Sequence, residues 1–225
     1  MPDATLAPDM VKVSITAIDA LANDHLGAWL TPSERTTHTA LIIPKRRREW
    51  LAGRVAAKSV IAQRHNLRSA DRFTRITITP IADGPERGRP RYTIDAQPAP
   101  YDLSIAHCGD IAIAALATHP GERIGVDLEH LITAGPGFDA LTFSPAELAT
   151  LATLPTSLRP TYRTHLWTLK EALLKATGTG LRTSLPDVSV QLSPTSRDAI
   201  TLASAPHARA GLFQVDALIG AWVVA

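Results

Sequence analysis

The chain is poor in the features that announce several common functions. It has 225 residues and one cysteine, Cys108. An internal disulfide is therefore excluded, and a reducing, cytoplasmic setting is the expectation. Cys108 has no recognisable nucleophile arrangement around it and reads as packing. Charge of one sign is also lacking: 23 Lys and Arg stand against 21 Asp and Glu, a net charge of +2. No global basic field points to nucleic acid. Long hydrophobic runs are missing too, with nothing near the ~20 apolar residues of a membrane helix. Met1-Pro2-Asp3-Ala4 has neither a basic n-region nor a long apolar core, so no signal peptide is expected. There are 8 histidines, but residues such as His65 and His119 show no metal-like spacing.

What is present is an ordinary globular composition, 45% apolar and 20% charged. A chain of this length forms one large domain or two small ones and buries roughly 70% of its unfolded surface. Two segments carry chemistry. Ile124-Gly125-Val126-Asp127-Leu128-Glu129 alternates apolar and acidic residues, as a strand does. Asp127 and Glu129 then share a face. Trp167 to Lys175 is rich in helix formers, and its Glu171 and Lys175 project side by side at i, i+4. Leu166, Leu169, Leu173 and Ala176 form the apolar stripe of that helix. Singly, each motif reads first as a solvated strand face or a surface ion pair. Together, three carboxylates and a lysine suit a hard cation that binds through a few carboxylates and substrate phosphate oxygens.

The chain also repeats itself. Thr31-Pro32-Ser33-Glu34 is a capping box with proline at the first helical position. Ser144-Pro145-Ala146-Glu147 is the same device 113 positions later. The same offset lays Val11–Thr16 on Ile124–Glu129. Trp50 to Lys58 matches Trp167 to Lys175 at an offset of 117, which sets Arg54 against Glu171 and Lys58 against Lys175. Strand-like runs, Arg75–Thr79 and Asp187–Gln191, follow the two long helices. These matches predict two similar halves, 1–103 and 104–225, with Tyr92–Pro100 as the connection. The fold class is α+β, a pseudo-twofold duplication in which each half packs a mainly antiparallel sheet with a long helix. Helices are expected near 18–30, from Thr31, over 45–65, 145–154 and 160–177. Strands are expected at 11–17, 73–80, 111–117, 124–129, 187–192 and 212–224. Ile81–Arg91 and Thr133–Gly137 read as loops.

The strand motif followed by Trp-x-x-Lys-Glu-Ala-x-x-Lys resembles the signature of the 4′-phosphopantetheinyl transferases. His107-Cys108-Gly109, Phe143-Ser144-x-x-Glu147 and Gly178–Leu181 extend the resemblance over most of the second half. Length and duplication resemble the surfactin-synthetase-activating (Sfp) type, whose members are monomers built as pseudo-dimers. The resemblance implies transfer of phosphopantetheine from coenzyme A to a serine of an acyl or peptidyl carrier protein, releasing 3′,5′-ADP. It implies Mg²⁺, or Mn²⁺, held by Asp127, Glu129 and Glu171. Glu171 is then the proton acceptor and Lys175 stabilises the departing phosphate.

The coenzyme contacts follow from the same resemblance. Lys45-Arg46-Arg47-Arg48 heads a helix where the family meets the 3′-phosphate, with Arg48 the first choice and Arg47 the second. Gly88-Arg89-Pro90 resembles the family's Gly-Lys-Pro beside the adenine and 3′-phosphate. Ser104–Gly109 resembles Asn-(Ile/Val)-Ser-His-Ser-Gly. There Ala106 and Cys108 replace the two serines, while His107 is kept. The first half is thus expected on the coenzyme side and the second to carry metal and catalytic residues. Two alternatives fit parts of the pattern. One is a metal-dependent phosphodiesterase or nuclease using the acidic cluster. The other is a non-catalytic nucleic-acid-binding module using Lys45–Arg48.

Overall fold

The computed structural model describes residues 9–15, 17, 26–194, 196 and 199–225. The helix expected near 18–30 falls mostly outside them, although residues 26–29 are helical. The chain divides into two compact units, Pro8–Glu122 and Arg123–Ala225. The division lies later than the expected 103/104 because hydrogen bonds tie the intervening hairpin to the first strand of the chain.

In the first unit, β1 (Met10–Ser14), β5 (Leu103–Cys108) and β6 (Ile111–Leu116) form an antiparallel sheet in the order β1-β6-β5. Val13 stands opposite Ala112, and Ala106 opposite Ile113. The expected single strand at 111–117 is thus half of a hairpin, turned at Gly109 with φ 56°. A second sheet runs β2 (Ile76–Pro80), β3 (Pro90–Ile94), β4 (Gln97–Pro98). Tyr92–Pro100, expected as a connection, is therefore another hairpin. Asp95 and Ala96 turn it in the left-handed region, at φ 49° and 64°. Its prolines sit at the first position of β3 and in the short terminal strand β4, where no central ladder needs their missing N–H. Beside the helical residues 26–29, the unit holds α1 (Pro32–Ala40) and the long α2 (Pro44–Arg64). Val60, Ile61, Ile76, Ile78, Leu103 and Leu116 form the core beneath α2.

The second unit holds the sheet β10 (Arg209–Val215), β11 (Leu218–Val224), β7 (Ile124–Glu129), in that order and antiparallel. The expected strand 212–224 is a hairpin, turned at Asp216 with φ 53°. β8 (Val190–Leu192) pairs with β9 (Ile200–Leu202). The helices are α3 (Pro136–Thr142), α4 (Pro145–Thr153) and the long α5 (Arg159–Thr177). The first of these begins inside the expected loop 133–137, at a proline in the first helical turn. The stripe Leu166, Leu169, Leu173 and Ala176 is fully buried against Phe143, Val190, Ala221 and Val223. Both units are α+β.

Each unit is locked by the same buried ion pair. The capping-box glutamate Glu34 accepts from Thr31 N at 2.9 Å, from Ile78 N at 3.1 Å and from Lys58 Nζ at 2.5 Å. Lys58 Nζ also donates to Phe73 O at 2.9 Å. Glu147 accepts from Ser144 N at 2.7 Å and Val190 N at 2.9 Å, and pairs with Lys170 Nζ at 2.6 Å. Lys170 Nζ also donates to Leu185 O and Thr142 O, both at 2.9 Å. Lys58 and Lys170, Phe73 and Leu185, and Ile78 and Val190 all stand 112 positions apart. So do Asn66 and Gly178, which take left-handed conformations just past their helices. The structure therefore corrects the offset of 117: Lys58 corresponds to Lys170, and Glu171 to Ser59 rather than Arg54. Matching tryptophans misled the alignment, because Trp50 and Trp167 lie on different turns of their helices.

No solvent reaches Lys58, and burial pulls its ammonium pKa down against the pull of Glu34. Lys58→Met leaves Glu34 charged and buried, which should cost about 3–5 kcal/mol in urea unfolding. Arg75→Ala, which breaks a more exposed pair with Asp95, should cost far less in the same assay, because solvent screens it. No helix among the described residues is long and apolar enough to cross a membrane.

Candidate active site

β7 lies directly on α5 because residue 125 is glycine. A Cβ there would sit 1.8 Å from Ala172 O and 2.7 Å from Ala176 N. Any side chain would push strand and helix apart. Gly125, Asp127 and Glu129 share the face of β7 that meets the helix. The close approach therefore carries both acids to α5, where Glu171 and Lys175 follow one turn apart. Asp127 is buried, and Lys175 Nζ donates to its Oδ1 at 2.7 Å and to Val126 O at 3.0 Å.

Glu171 is half-buried, and burial is the largest cause of its raised carboxyl pKa. The neighbouring Asp127 and Glu129 charges raise it further, while Lys175 opposes them. Asp127, Glu129, Glu171 and Lys175 thus form one electrostatically coupled group on a single strand–helix face. The donors, three carboxylates on rigid elements, are of the type a hard cation takes, and the repulsion recorded at Glu171 is what such a cation would relieve. As arranged, however, no three Asp, Glu, His or Cys side chains among the described residues close into a cluster that could hold a metal ion. Lys175 neutralises Asp127 instead.

Several supporting residues are not obvious from the motifs. Arg163 on α5 holds Asp139 of α3 through two hydrogen bonds of 2.6 and 2.9 Å. Thr164 Oγ1 accepts from Ile132 N at 2.8 Å, fixing the segment that leaves β7. Trp167 packs on Phe138 with ring centroids 5.4 Å apart. Arg163 and Lys170 fall at i−3 and i+4 of Leu166, within the apolar stripe of α5. Charges placed in such a stripe were the signal that partners lay below.

The remaining expected site residues belong to the first unit and fare unevenly. Arg47 donates through Nε and Nη2 to Leu41 O at 2.9 and 2.6 Å, tying down the link between α1 and α2. Arg89 forms a two-pronged pair with Asp102, and both side chains are largely buried. Those two guanidinium groups are committed within the unit. Gly88 takes φ 88°, and Pro90 opens β3. Ala106 is buried in β5, and Cys108 ends that strand half-buried. His107 is half-exposed, with Nδ1 3.9 Å from Glu49 Oε1. Glu49 also lies 3.7 Å from Lys45, so His107 stands at the basic first turns of α2, as does Arg48.

Two predictions follow from this geometry. Gly125→Ala should lower stability by at least ~2–3 kcal/mol, since backbone on the facing helix cannot yield to an added methyl. Gly137→Ala, inside α3 with open space around it, should be neutral or stabilising by ~0.5–1 kcal/mol; chemical unfolding distinguishes the two. The second prediction concerns pH. A carboxyl whose folded pKa is raised favours the folded state while protonated, and that stability is lost as pH rises through the folded value. In the presence of a chelator, Glu171→Gln should therefore be more stable than wild type at neutral pH. The two should converge below the unfolded carboxylate range, as followed by thermal melts at several pH values.

Residues 123–225, the whole second unit, match the family model described as the 4′-phosphopantetheinyl transferase superfamily. The chain is 31% identical over 153 residues to the 4′-phosphopantetheinyl transferase ffp of Bacillus subtilis, covering 68% of this chain and 62% of that protein. It is 26% identical over 200 residues to the 4′-phosphopantetheinyl transferase HetI of Nostoc, covering 86% and 79% respectively. Among solved structures, a holo-(acyl-carrier-protein) synthase from Bacillus anthracis in complex with CoA (3′,5′-ADP) aligns with a TM-score of 0.40 and 22% identity. That alignment covers 48% of this chain and 90% of the other. The signature strand and helix of β7 and α5 lie wholly inside the matched span, so the likeness to the 4′-phosphopantetheinyl transferase superfamily rests on residues 123–225, and the chain spans less than two thirds of the length of ffp.

Proposed function

We propose that the protein transfers the 4′-phosphopantetheine group of coenzyme A to a serine of an acyl or peptidyl carrier protein, releasing 3′,5′-ADP. The observation that carries this reading is the coupled group Asp127, Glu129, Glu171 and Lys175 on β7 and α5, set within a span matching the family model. Asp127, Glu129 and Glu171 would hold Mg²⁺ once Lys175 releases Asp127, and the ion would supply charge neutralisation at the pyrophosphate. Glu171 would take the serine proton, directly or through a water molecule. Lys175 ends a flexible stem and exchanges its contact with Asp127 for the departing phosphate. Its charge stabilises the oxygens that gain negative charge as the phosphoanhydride bond breaks.

Arg48 and His107 are the candidates for the 3′-phosphate of the coenzyme. Gly88 and Pro90 shape the nearby turn, and Ala106 and Cys108 offer backbone rather than hydroxyl donors. Arg47 and Arg89 are better read as structural, since Leu41 O and Asp102 hold them. The first unit would thus serve the coenzyme and the second the chemistry, in a monomeric enzyme.

The test is to incubate the protein with coenzyme A, Mg²⁺ and an apo carrier protein and to weigh the carrier by mass spectrometry. The carrier should gain one phosphopantetheine. Glu171→Gln should slow the reaction by about 10²–10³-fold, the usual loss for a well-placed transition-state interaction. Asp83→Asn, on an exposed loop, should leave the rate unchanged. Metal-dependent cleavage of DNA with no carrier modification would favour the nuclease reading instead.

A further inference from the structure

The far end of α2 carries a cavity that the proposed function leaves unused. It measures about 360 Å³ and is lined by Ser59, Gln63, Asn66, Arg68, Arg72 and Phe73, with Ala62 and Leu67. Arg48, the candidate coenzyme contact, lies 11 residues before Ser59 on the same helix. At 1.5 Å per residue the two are roughly 16 Å apart along the axis, so this cavity is separate from the coenzyme contacts.

The 112-position correspondence gives this cavity a lineage. Ser59 stands where the second unit has Glu171, and Gln63 where it has Lys175. Asn66 stands for Gly178, Arg68 for Gly180 and Arg72 for Ser184. The cavity is thus the first unit's copy of the surface that carries the candidate catalytic pair. Its charge balance has changed. The acid and the lysine have become neutral hydrogen-bonding groups, and two arginines have replaced a glycine and a serine. Where the second unit has one acid and one lysine, the first has a rim whose net charge favours anions.

The walls are arranged for such a ligand. Arg68 is exposed and its Nε donates to Asn66 Oδ1 at 2.8 Å, which steadies both side chains at the rim. Arg72 lies over the Phe73 ring, its Cζ 4.4 Å from the centroid. Phe73 is stacked on Trp29 at 4.9 Å and is only 8% exposed, so the ring is a fixed support for Arg72, whose Nη1 also donates to Ser69 O at 3.3 Å, and the apolar lining is left to Ala62 and Leu67. A volume of this size falls in the ordinary range for small-molecule sites, roughly 300–1,000 Å³. Guanidinium forks, a carboxamide and a hydroxyl suit phosphate oxygens, while Ala62 and Leu67 suit an apolar body.

We propose that this cavity binds a small phosphate monoester carried on an aromatic or apolar group, without a metal ion. The proposal is independent of the transferase reading. The test uses phenyl phosphate as probe and the side-chain amide signals of Gln63 and Asn66 as reporters, followed by NMR on the whole chain without coenzyme A. Phenyl phosphate should shift both signals saturably. The double variant Arg68→Gln/Arg72→Gln should bind at least tenfold more weakly while leaving carrier modification unchanged. Arg68→Gln alone, at the exposed rim, carries the comparison should the double variant lose its fold. Inorganic phosphate and phenylacetate, run in parallel, should each bind more weakly than phenyl phosphate. No shift at Gln63 and Asn66, or undiminished affinity in the arginine variants, overturns the site. Phenylacetate binding as tightly as phenyl phosphate overturns the phosphate assignment, and inorganic phosphate binding as tightly overturns the role of the apolar lining.

Discussion

The contact between β7 and α5 at Gly125 is the constraint on which the candidate active site depends. Backbone meets backbone there, with no room for a methyl group. Because the strand lies that close, Asp127 is buried and within hydrogen-bond reach of Lys175. Because the acids crowd together in a partly dry place, Glu171 holds its proton more tightly than an ordinary glutamate. Local destabilisation of this kind is expected where groups are arranged for chemistry rather than for rest. The rest of the second unit compensates. Arg163–Asp139 and Lys170–Glu147 clamp the helices around α5, so the strain of gathering like charges does not spread.

Much of this was legible in the sequence, and for physical reasons. The two capping boxes are local devices, and both formed as written, at Thr31–Glu34 and Ser144–Glu147. The alternation of Ile124–Glu129 and the stripe of α5 are periodic signals that packing has no cause to override. Hairpins were harder. Ile111–Leu116 is apolar enough to read as a lone buried strand, yet its partner Leu103–Cys108 contains serine and histidine and lacks that signature. Residues 92–100 looked like a connection because of their prolines. The left-handed turn at Asp95–Ala96 has neither Asn nor Gly to mark it. The division between units moved for the same reason, since β5 and β6 belong with β1.

At the candidate site, spacing showed which motif residues of β7 and α5 share a face, because strand and helix periodicity determine that, while their joint role came from the family resemblance. The coenzyme contacts were less visible. Whether an arginine is available depends on carbonyls and carboxylates distant in sequence, as Leu41 O and Asp102 are for Arg47 and Arg89. The alignment of the two halves failed at the long helices for a related reason. Tryptophan is conspicuous in a sequence, but a buried lysine is what the fold constrains. Lys58 and Lys170 were the true markers, and each sits in an apolar stripe where a charge has no business without a partner.

Those lysines also bear on how the two halves have drifted apart. Each pair is closed within its own unit, among a capping glutamate and nearby carbonyls. Changing either member first passes through a chain with a lone charge sealed from water, so ordinary single-step drift is blocked there. Surface positions nearby face no such barrier, and Ser59 and Gln63 have parted from Glu171 and Lys175. The ion pairs are therefore the feature shared by the two units that a single substitution is least able to alter, whereas the surface positions beside them are open to change.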